Sequence, residues 1–216
     1  MKITWLGHSS FLIEDSDGRK ILTDPFDESV GYEVFKGNTD IVTISHQHFD
    51  HNYIKNLPPN TKVIDKAGFF NIGDIPIEGF PSFHDKEEGA KRGENIIFVF
   101  EVDGYRVCHL GDLGYVLSKD EISKLGSIDV LLIPIGGNFT IDGAEAALLS
   151  KEIKSHIVIP MHYKTGSLNF TLEGLEKFLI NMKNAYKTDA CTLNMNGDLN
   201  EYNQVKILEY KKGTKA

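Results

Sequence analysis

The stretch "ISHQHFDH", residues 44–51, sets His46, His48, Asp50 and His51 directly behind the apolar run "DIVTIS" (40–45). The whole chain holds only eight histidines. A hydrophobic core disfavours that much imidazole, and a solvated loop has no use for it. Residues two apart in an extended segment point the same way, so His46 and His48 can share one metal ion. Asp50 and His51 follow as the chain turns and can face a second ion. Neutral imidazole and carboxylate are the donors expected for Zn²⁺ and similar divalent ions.

Four donors in one loop cannot complete two sites, and the rest of the chain offers more. "PSFHD" supplies His84, "HLGDLG" supplies Asp112 between Gly111 and Gly114, and "VIPMHYKT" supplies His162 after an apolar run. The expected arrangement is His46, His48 and His84 on one ion, with Asp50, His51 and His162 on the other. Asp112 bridges the two.

Outward from this cluster the chain alternates strands and helices, an α/β pattern. "KITWLG", "SSFLIED" and "RKILTD" read as strands, the last two joined by the turn "DSDG". "DIVTIS", "DVLLIPIGG" and "SHIVIPMH" are apolar runs of the kind buried on both faces. "NLPPN" breaks the chain before "TKVID" resumes it. "NIIFVFEVDGYRVCHLGD" reads as a hairpin about Asp103-Gly104. Helices are expected at "SKDEISKLG", at "DGAEAALLSKEI" with its Asp142/Glu145 start, and across "TLEGLEKFLINMKNA". In the last, Leu172, Leu175, Phe178, Leu179 and Met182 recur at helical spacing. "DIVTISHQH" and "HIVIPMHYK" both run a strand straight into histidine, which places a site between two similar halves.

The bulk numbers narrow the function. With 216 residues, 41% apolar and 25% charged, one domain over 1–216 is expected. A net charge of −8 argues against nucleic acid as a partner, and Lys211, Lys212 and Lys215 read as a solvated tail. No apolar run approaches the ~18 residues of a membrane span, and the N-terminus lacks the pattern of a secretion signal. Cys108 and Cys191 have no metal or redox spacing, so a cytoplasmic location is expected.

The H-x-H-x-D-H motif, the later His, the G-D and the final His after a strand resemble the metallo-β-lactamase superfamily. "TWLGHSSFLI", "HLGDLG", "IGGNFTID" and "IPMHYKT" bring the chain closer to a branch of small metal-dependent hydrolases similar to ascorbate-phosphate lactonases. More distantly it resembles N-acyl phosphatidylethanolamine phospholipase D. The similarity runs from residue 3 to about 170. It implies a four-layer αββα sandwich with the metals at one edge of the paired sheets. It also favours His84 over His109 as the third ligand of the first ion, and implies that Asp24 braces the metal loop. His109, alternating with Val107 and Tyr105 on a strand, reads as a buried, hydrogen-bonded histidine. His8 reads as either site-facing or structural, and Asn138 and Lys164 are candidate contacts to substrate. Relatives often carry His after G-D-L-G where this chain has Tyr115. His156 is expected at the surface and Cys108 in the core.

The function expected is hydrolysis by a metal-bridging hydroxide, with Asp50 the one ligand that is also catalytic. The substrate is a small ester, lactone or phosphoester, anionic substrates being allowed. A phosphodiesterase, or a metal-binding or redox protein on the same ligands, is the alternative. Two divalent ions per chain are expected, Zn²⁺ first, with Mn²⁺, Ni²⁺ or Fe²⁺ also suited. A homo-oligomer is compatible with the resemblance, though no interface motif is legible.

Overall fold

A computed structural model describes residues 1–197 and 199–210. The basic tail at Lys211, Lys212 and Lys215 lies outside the described residues. Strands β1 (Lys2–Gly7), β2 (Ser10–Glu14) and β3 (Lys20–Thr23) are followed by a 3₁₀ turn at Glu28–Val30. Then come β4 (Ile41–Thr43), β5 (Lys62–Ile64), β6 (Gly68–Ile72), β7 (Ile75–Phe83), β8 (Glu94–Val102) and β9 (Tyr105–His109). Helix α1 (Lys119–Leu125), β10 (Val130–Pro134), α2 (Gly143–Ile153), β11 (Ile157–Met161) and α3 (Glu176–Asn181) lead to β12 (Ala185–Lys187), β13 (Thr192–Asn194) and β14 (Gln204–Ile207).

The strands form two mixed sheets, ordered β13-β1-β2-β3-β4-β5 and β12-β14-β11-β10-β9-β8-β7-β6. Period-two alternation sends Ile3 and Trp5 of β1, Phe11 and Ile13 of β2, and Ile21 of β3 into one buried cluster. Ile77, Phe98, Val107, Leu131 and Ile159 of the second sheet join them there. The opposite face of the first sheet buries Leu12, Leu22 and Val42 beneath Leu6, Phe35 and Leu57. That double burial explains why β4 reads as a continuous apolar run. The two sheets pack face to face over the cluster they share, the sandwich expected from the sequence. Helix α2 packs against β10 and carries α1 and α3, while Leu6 of β1 and the loop residues Phe35 and Leu57 pack against Leu12, Leu22 and Val42 on the first sheet.

Helices α1 and α2 start where their capping boxes predict, at Ser118/Glu121 and Asp142/Glu145. The long helix expected across 171–185 is corrected to the six residues of α3. Glu173 explains the loss of the first turn: its N–H donates to Gly136 and its carbonyl accepts from Lys164, so neither is free for a helix. Leu172 is drawn aside into a satellite cluster with Phe26, Val30, Tyr32 and Leu168. Leu175, at the N-cap, makes no side-chain capping bond. Hairpin β6–β7 and strands β12–β14 form where the sequence reading assigns no element.

The direction of the strands decides the site. β3 and β4 run parallel, as do β9, β10 and β11. β1 shares the direction of β3 through antiparallel β2, and β7 that of β9 through antiparallel β8. His8, Asp24, His46, His84, Asp112 and His162 therefore all leave the carboxyl ends of their strands. Backbone bonds from His162 to His8 and from Ile96 to Ser45 join the two sheets at that edge.

Candidate metal centre

Asp24 and Ser45 organise the histidine loop. Asp24, fully buried, has its backbone in the left-handed region at φ 40°. Its Oδ1 accepts from the Ser45 N–H at 2.7 Å, and its Oδ2 accepts from the Ser45 hydroxyl at 2.6 Å. Oδ2 also receives His51 Nδ1 at 2.9 Å. Having donated its proton to Asp24, the Ser45 hydroxyl oxygen can accept from His46 Nδ1, 2.9 Å away. One carboxylate thus aims two imidazoles, one from each expected ion group. Both Nε2 atoms are buried without an aligned hydrogen-bond partner.

Those atoms face Asp112. Its Oδ2 stands 3.1 Å from His162 Nε2, 3.3 Å from His51 Nε2, 3.4 Å from His84 Nε2 and 4.0 Å from His46 Nε2. The Asp112 N–H donates to Asn95 Oδ1 at 3.0 Å, and Asn95 is itself held by Ser82 Oγ and the Leu110 carbonyl. Ser9 Oγ lies 3.4 Å from Asp112 Oδ1. The flanking glycines permit the approach. A Cβ on Gly111 would meet Asn95 Oδ1 at 2.3 Å, and one on Gly114 would meet the Asp85 nitrogen at 2.2 Å.

His46, His48 and His84 bring ring centroids within 4.6–5.1 Å of one another, with His48 exposed and the other two buried. His84 follows β7 and leads into a loop knotted on Asp85. That carboxylate accepts from the backbone N–H groups of Glu87, Gly89, Lys91 and Arg92, which hold it down at about 2 against the cost of burial. Asp50, His51 and His162 form a second group whose ligand atoms, with those of His8, all lie within 4.8 Å of one another. The groups expected from the sequence are brought together, and His8 is placed beside them, Nε2 3.1 Å from Asp50 Oδ2.

The electrostatics call for a cation. Burial opposes charge on His51, yet Asp112 and Asp50 outweigh it and raise His51 well above the ordinary histidine value. Burial likewise opposes charge on Asp112, but His162 and His51 hold it well below the carboxylate range. Asp50 is depressed in the same way against burial, by His51 and His8. In contrast, burial lowers His46 to about 3 and His8 to about 4. Carboxylates that stay ionised beside imidazoles that stay neutral are a fitting donor set for divalent ions, which would replace the proton on His51.

The remaining candidates sort by their bonds. His109, fully buried, donates from Nε2 to the Ser9 carbonyl at 2.8 Å and accepts the Gly111 N–H at Nδ1, so both nitrogens are committed to backbone. Lys164 reaches the carbonyls of Leu168 and Phe170 with its ammonium. Asn138 donates to the Thr171 carbonyl while its own carbonyl accepts from Arg92. Tyr115 donates to Glu121 at 2.6 Å. His156 contacts the Glu201 carbonyl at the start of β11, and Cys108 is fully buried.

Sequence reasoning missed Ser45, Asn95, Asp85 and Arg92. Ser45 could have been suspected from its place before H-x-H, as the nearest side chain able to orient a ligand. Nothing in "GENII" marks Asn95. Arg92 sits with its guanidinium carbon 4.7 Å above the Phe139 ring. Of the three arginines, Arg19 pairs with Asp15 and Arg106 with Glu101, whereas Arg92 has no carboxylate partner among the described residues. Phe139 contacts Phe170 at 6.5 Å, and Phe170 meets the His8 ring edge-on at 5.3 Å. A path of rings therefore connects the arginine to the second donor group.

Residues 2–162 match the family described as the beta-lactamase superfamily domain. A UPF0173 metal-dependent hydrolase of Pyrococcus furiosus is 32% identical, over 76% of this chain and 85% of that protein. Another from Carboxydothermus hydrogenoformans is 29% identical, with the same coverage. Among solved structures, a candidate Zn-dependent hydrolase of the metallo-beta-lactamase superfamily from Thermotoga maritima is 38% identical. It covers 96% of this chain and 97% of its own, with a TM-score of 0.79. No helix among the described residues is long and apolar enough to cross a membrane.

Proposed function

The chain belongs to the beta-lactamase superfamily domain family as a metal-dependent hydrolase, and on that premise we propose that it works with two divalent ions, zinc first, on a small ester or lactone. The observation that carries this reading is Asp112 Oδ2 set among four imidazole nitrogens drawn from both donor groups. His46, His48 and His84 would hold one ion, Asp50, His51 and His162 the other, and Asp112 would join them. Such a pair supplies a water nucleophile ionised near neutral pH and positive charge for the developing oxyanion.

The chain's own groups do the rest. Asp24 and Ser45 fix the imidazoles of His46 and His51 before substrate arrives. Asp50, its side chain 13% exposed, is the more accessible of the two carboxylates in the donor groups. Its carboxylate would accept the proton of the attacking water and pass it to the leaving oxygen. Arg92, in the loop that follows His84, would meet a negative group on a small-molecule substrate. Nucleic acid and membrane are not expected partners. Two cysteines in 216 residues, with no redox or metal spacing, suit a reducing cytoplasm.

Elemental analysis of protein purified without chelator, followed by a panel of lactones, aryl esters and bis-nitrophenyl phosphate, tests the reading. Close to two ions per chain with turnover of lactones or esters supports it. One ion or none after reconstitution, or turnover of the phosphodiester alone, would overturn it.

A further inference from the structure

Resting on the reading of two ions, we propose that His8 is itself a protein donor to the second ion, making Asp50, His51 and His162 a set with a third imidazole. The backbone is shaped to deliver that ring. The β1–β2 register shifts between Trp5 and Gly7, and Gly7 and His8 both take left-handed backbone, at φ 106° and 50°. Such a conformation is uncommon for histidine and persists where its surroundings impose it. The His8 carbonyl is clamped twice, by Trp5 Nε1 at 3.0 Å and by the His162 N–H at 3.2 Å. No side-chain freedom remains: the ring is buried beside His162 at 4.4 Å, His51 at 5.1 Å and Phe170 at 5.3 Å.

The spacing is that of donors around a common ion. Donors about 2.0–2.1 Å from a shared ion lie roughly 2.8–3.4 Å apart, closer as more of them surround it. His8 Nε2 stands 3.1 Å from Asp50 Oδ2, beside His51 Nε2 to Asp50 Oδ2 at 3.6 Å, His51 Nε2 to Asp112 Oδ2 at 3.3 Å and His162 Nε2 to Asp112 Oδ2 at 3.1 Å. His8 Nδ1, like His162 Nδ1, is buried without a hydrogen-bond partner, so no competing bond turns the ring another way.

The two ions are then unequally served. The first has three imidazoles and Asp112. The second has three imidazoles, Asp50 and Asp112, one protein donor more. The first group suits four-coordinate zinc, whereas the second favours an ion that accepts more ligands, such as Mn²⁺, Fe²⁺ or Ni²⁺.

Titration of Co²⁺ into metal-free wild-type, His8→Ala and His8→Gln protein, read by visible absorption and bound-metal stoichiometry, decides the matter. Glutamine sets its amide nitrogen near the position of His8 Nε2 and keeps a hydrogen bond toward Asp50, but is a poor ligand for a transition ion. The expected result is two steps in the wild type, with the second weakened at least tenfold and its band altered in both variants. The first step stays unchanged, which also reports an intact fold. A wild-type-like second step in His8→Gln would reduce His8 to a brace for Asp50 and overturn the proposal. Equal loss of both steps in both variants would overturn it too. Uptake of a single ion by the wild type would instead strike the two-ion reading on which it rests.

Discussion

Asp24 Oδ2 lies 2.9 Å from His51 Nδ1 and 2.6 Å from Ser45 Oγ, so a single oxygen aims a histidine from each donor group. Asp24→Asn preserves volume, but its one carbonyl oxygen cannot satisfy both the Ser45 N–H and the His51 N–H. Affinity for both ions should fall about 10–100-fold. Competition against a chromophoric chelator measures this, and loss confined to one ion would contradict the shared brace.

Asp112→Ala removes the oxygen common to both groups. Hydrolysis should be abolished and bound metal should drop below two per chain. His48→Ala should do the same with the fold largely intact, because His48 is the exposed member of its group. Elemental analysis beside circular dichroism distinguishes a lost site from a lost fold; full activity in either variant would sink the bridged pair.

The metal-free protein should be most stable near pH 6.5. Burial holds His8 at about 4 and His46 at about 3, below their unfolded value of 6.5. Between pH 6.5 and 4 the unfolded chain binds protons that the fold refuses, so stability falls with falling pH, by up to about 3 kcal/mol from His8 alone. His51 has the opposite sign. Raised by Asp112 and Asp50 against burial, it stabilises below pH 6.5 and loses that contribution as pH climbs through its folded value. Metal should remove this alkaline limb by replacing the proton. Urea midpoints at pH 5, 6.5 and 8, with chelator and with zinc, test both limbs. A metal-free midpoint that rises from pH 6.5 to 5 would refute the acid one.

Arg92→Ala should raise KM for an ester carrying a carboxylate about tenfold or more and leave an uncharged ester of the same leaving group unaffected. Arg92→Lys should recover part of the loss. Parallel changes for both esters would mean that Arg92 only supports the loop through Asn138 and Phe139.

Gly114→Ala would drive a methyl to 2.2 Å from the Asp85 nitrogen and 2.3 Å from the His84 carbonyl carbon. Because both are backbone atoms, relief requires the His84 loop to shift, at about 1–3 kcal/mol. The first ion should be lost before the second. A variant with unchanged stability and full metal content would show that the loop yields freely.

His46 and His162 were legible because each is a polar residue just past an apolar run, and His48, Asp50 and His51 because they share the motif that His46 opens; His84 follows β7, which no run announced. "DIVTIS" into His46 and "HIVIPM" into His162 announce buried strands that stop at chemistry. Asn95 was not legible, since its role exists only once hairpin β8–β9 lies beside Ser82 and Asp112. The same holds for His8, whose neighbours Asp50 and His162 are remote in sequence. Local periodicity misled at 171–175, where Glu173 is taken up by Gly136 and Lys164. Tertiary bonds overrode an apolar pattern that was otherwise helical.

The convergence of strand ends has a kinetic corollary. The donors run from residue 8 to residue 162 and come from both sheets, so no fragment of the chain encloses an ion by itself. Closing such distant contacts is the slow part of folding a β-rich topology. Metal capture in a refolding experiment therefore reports the docking of one sheet on the other. An ion bound early, to the 46–51 loop alone, would have to wait for its remaining partners to arrive.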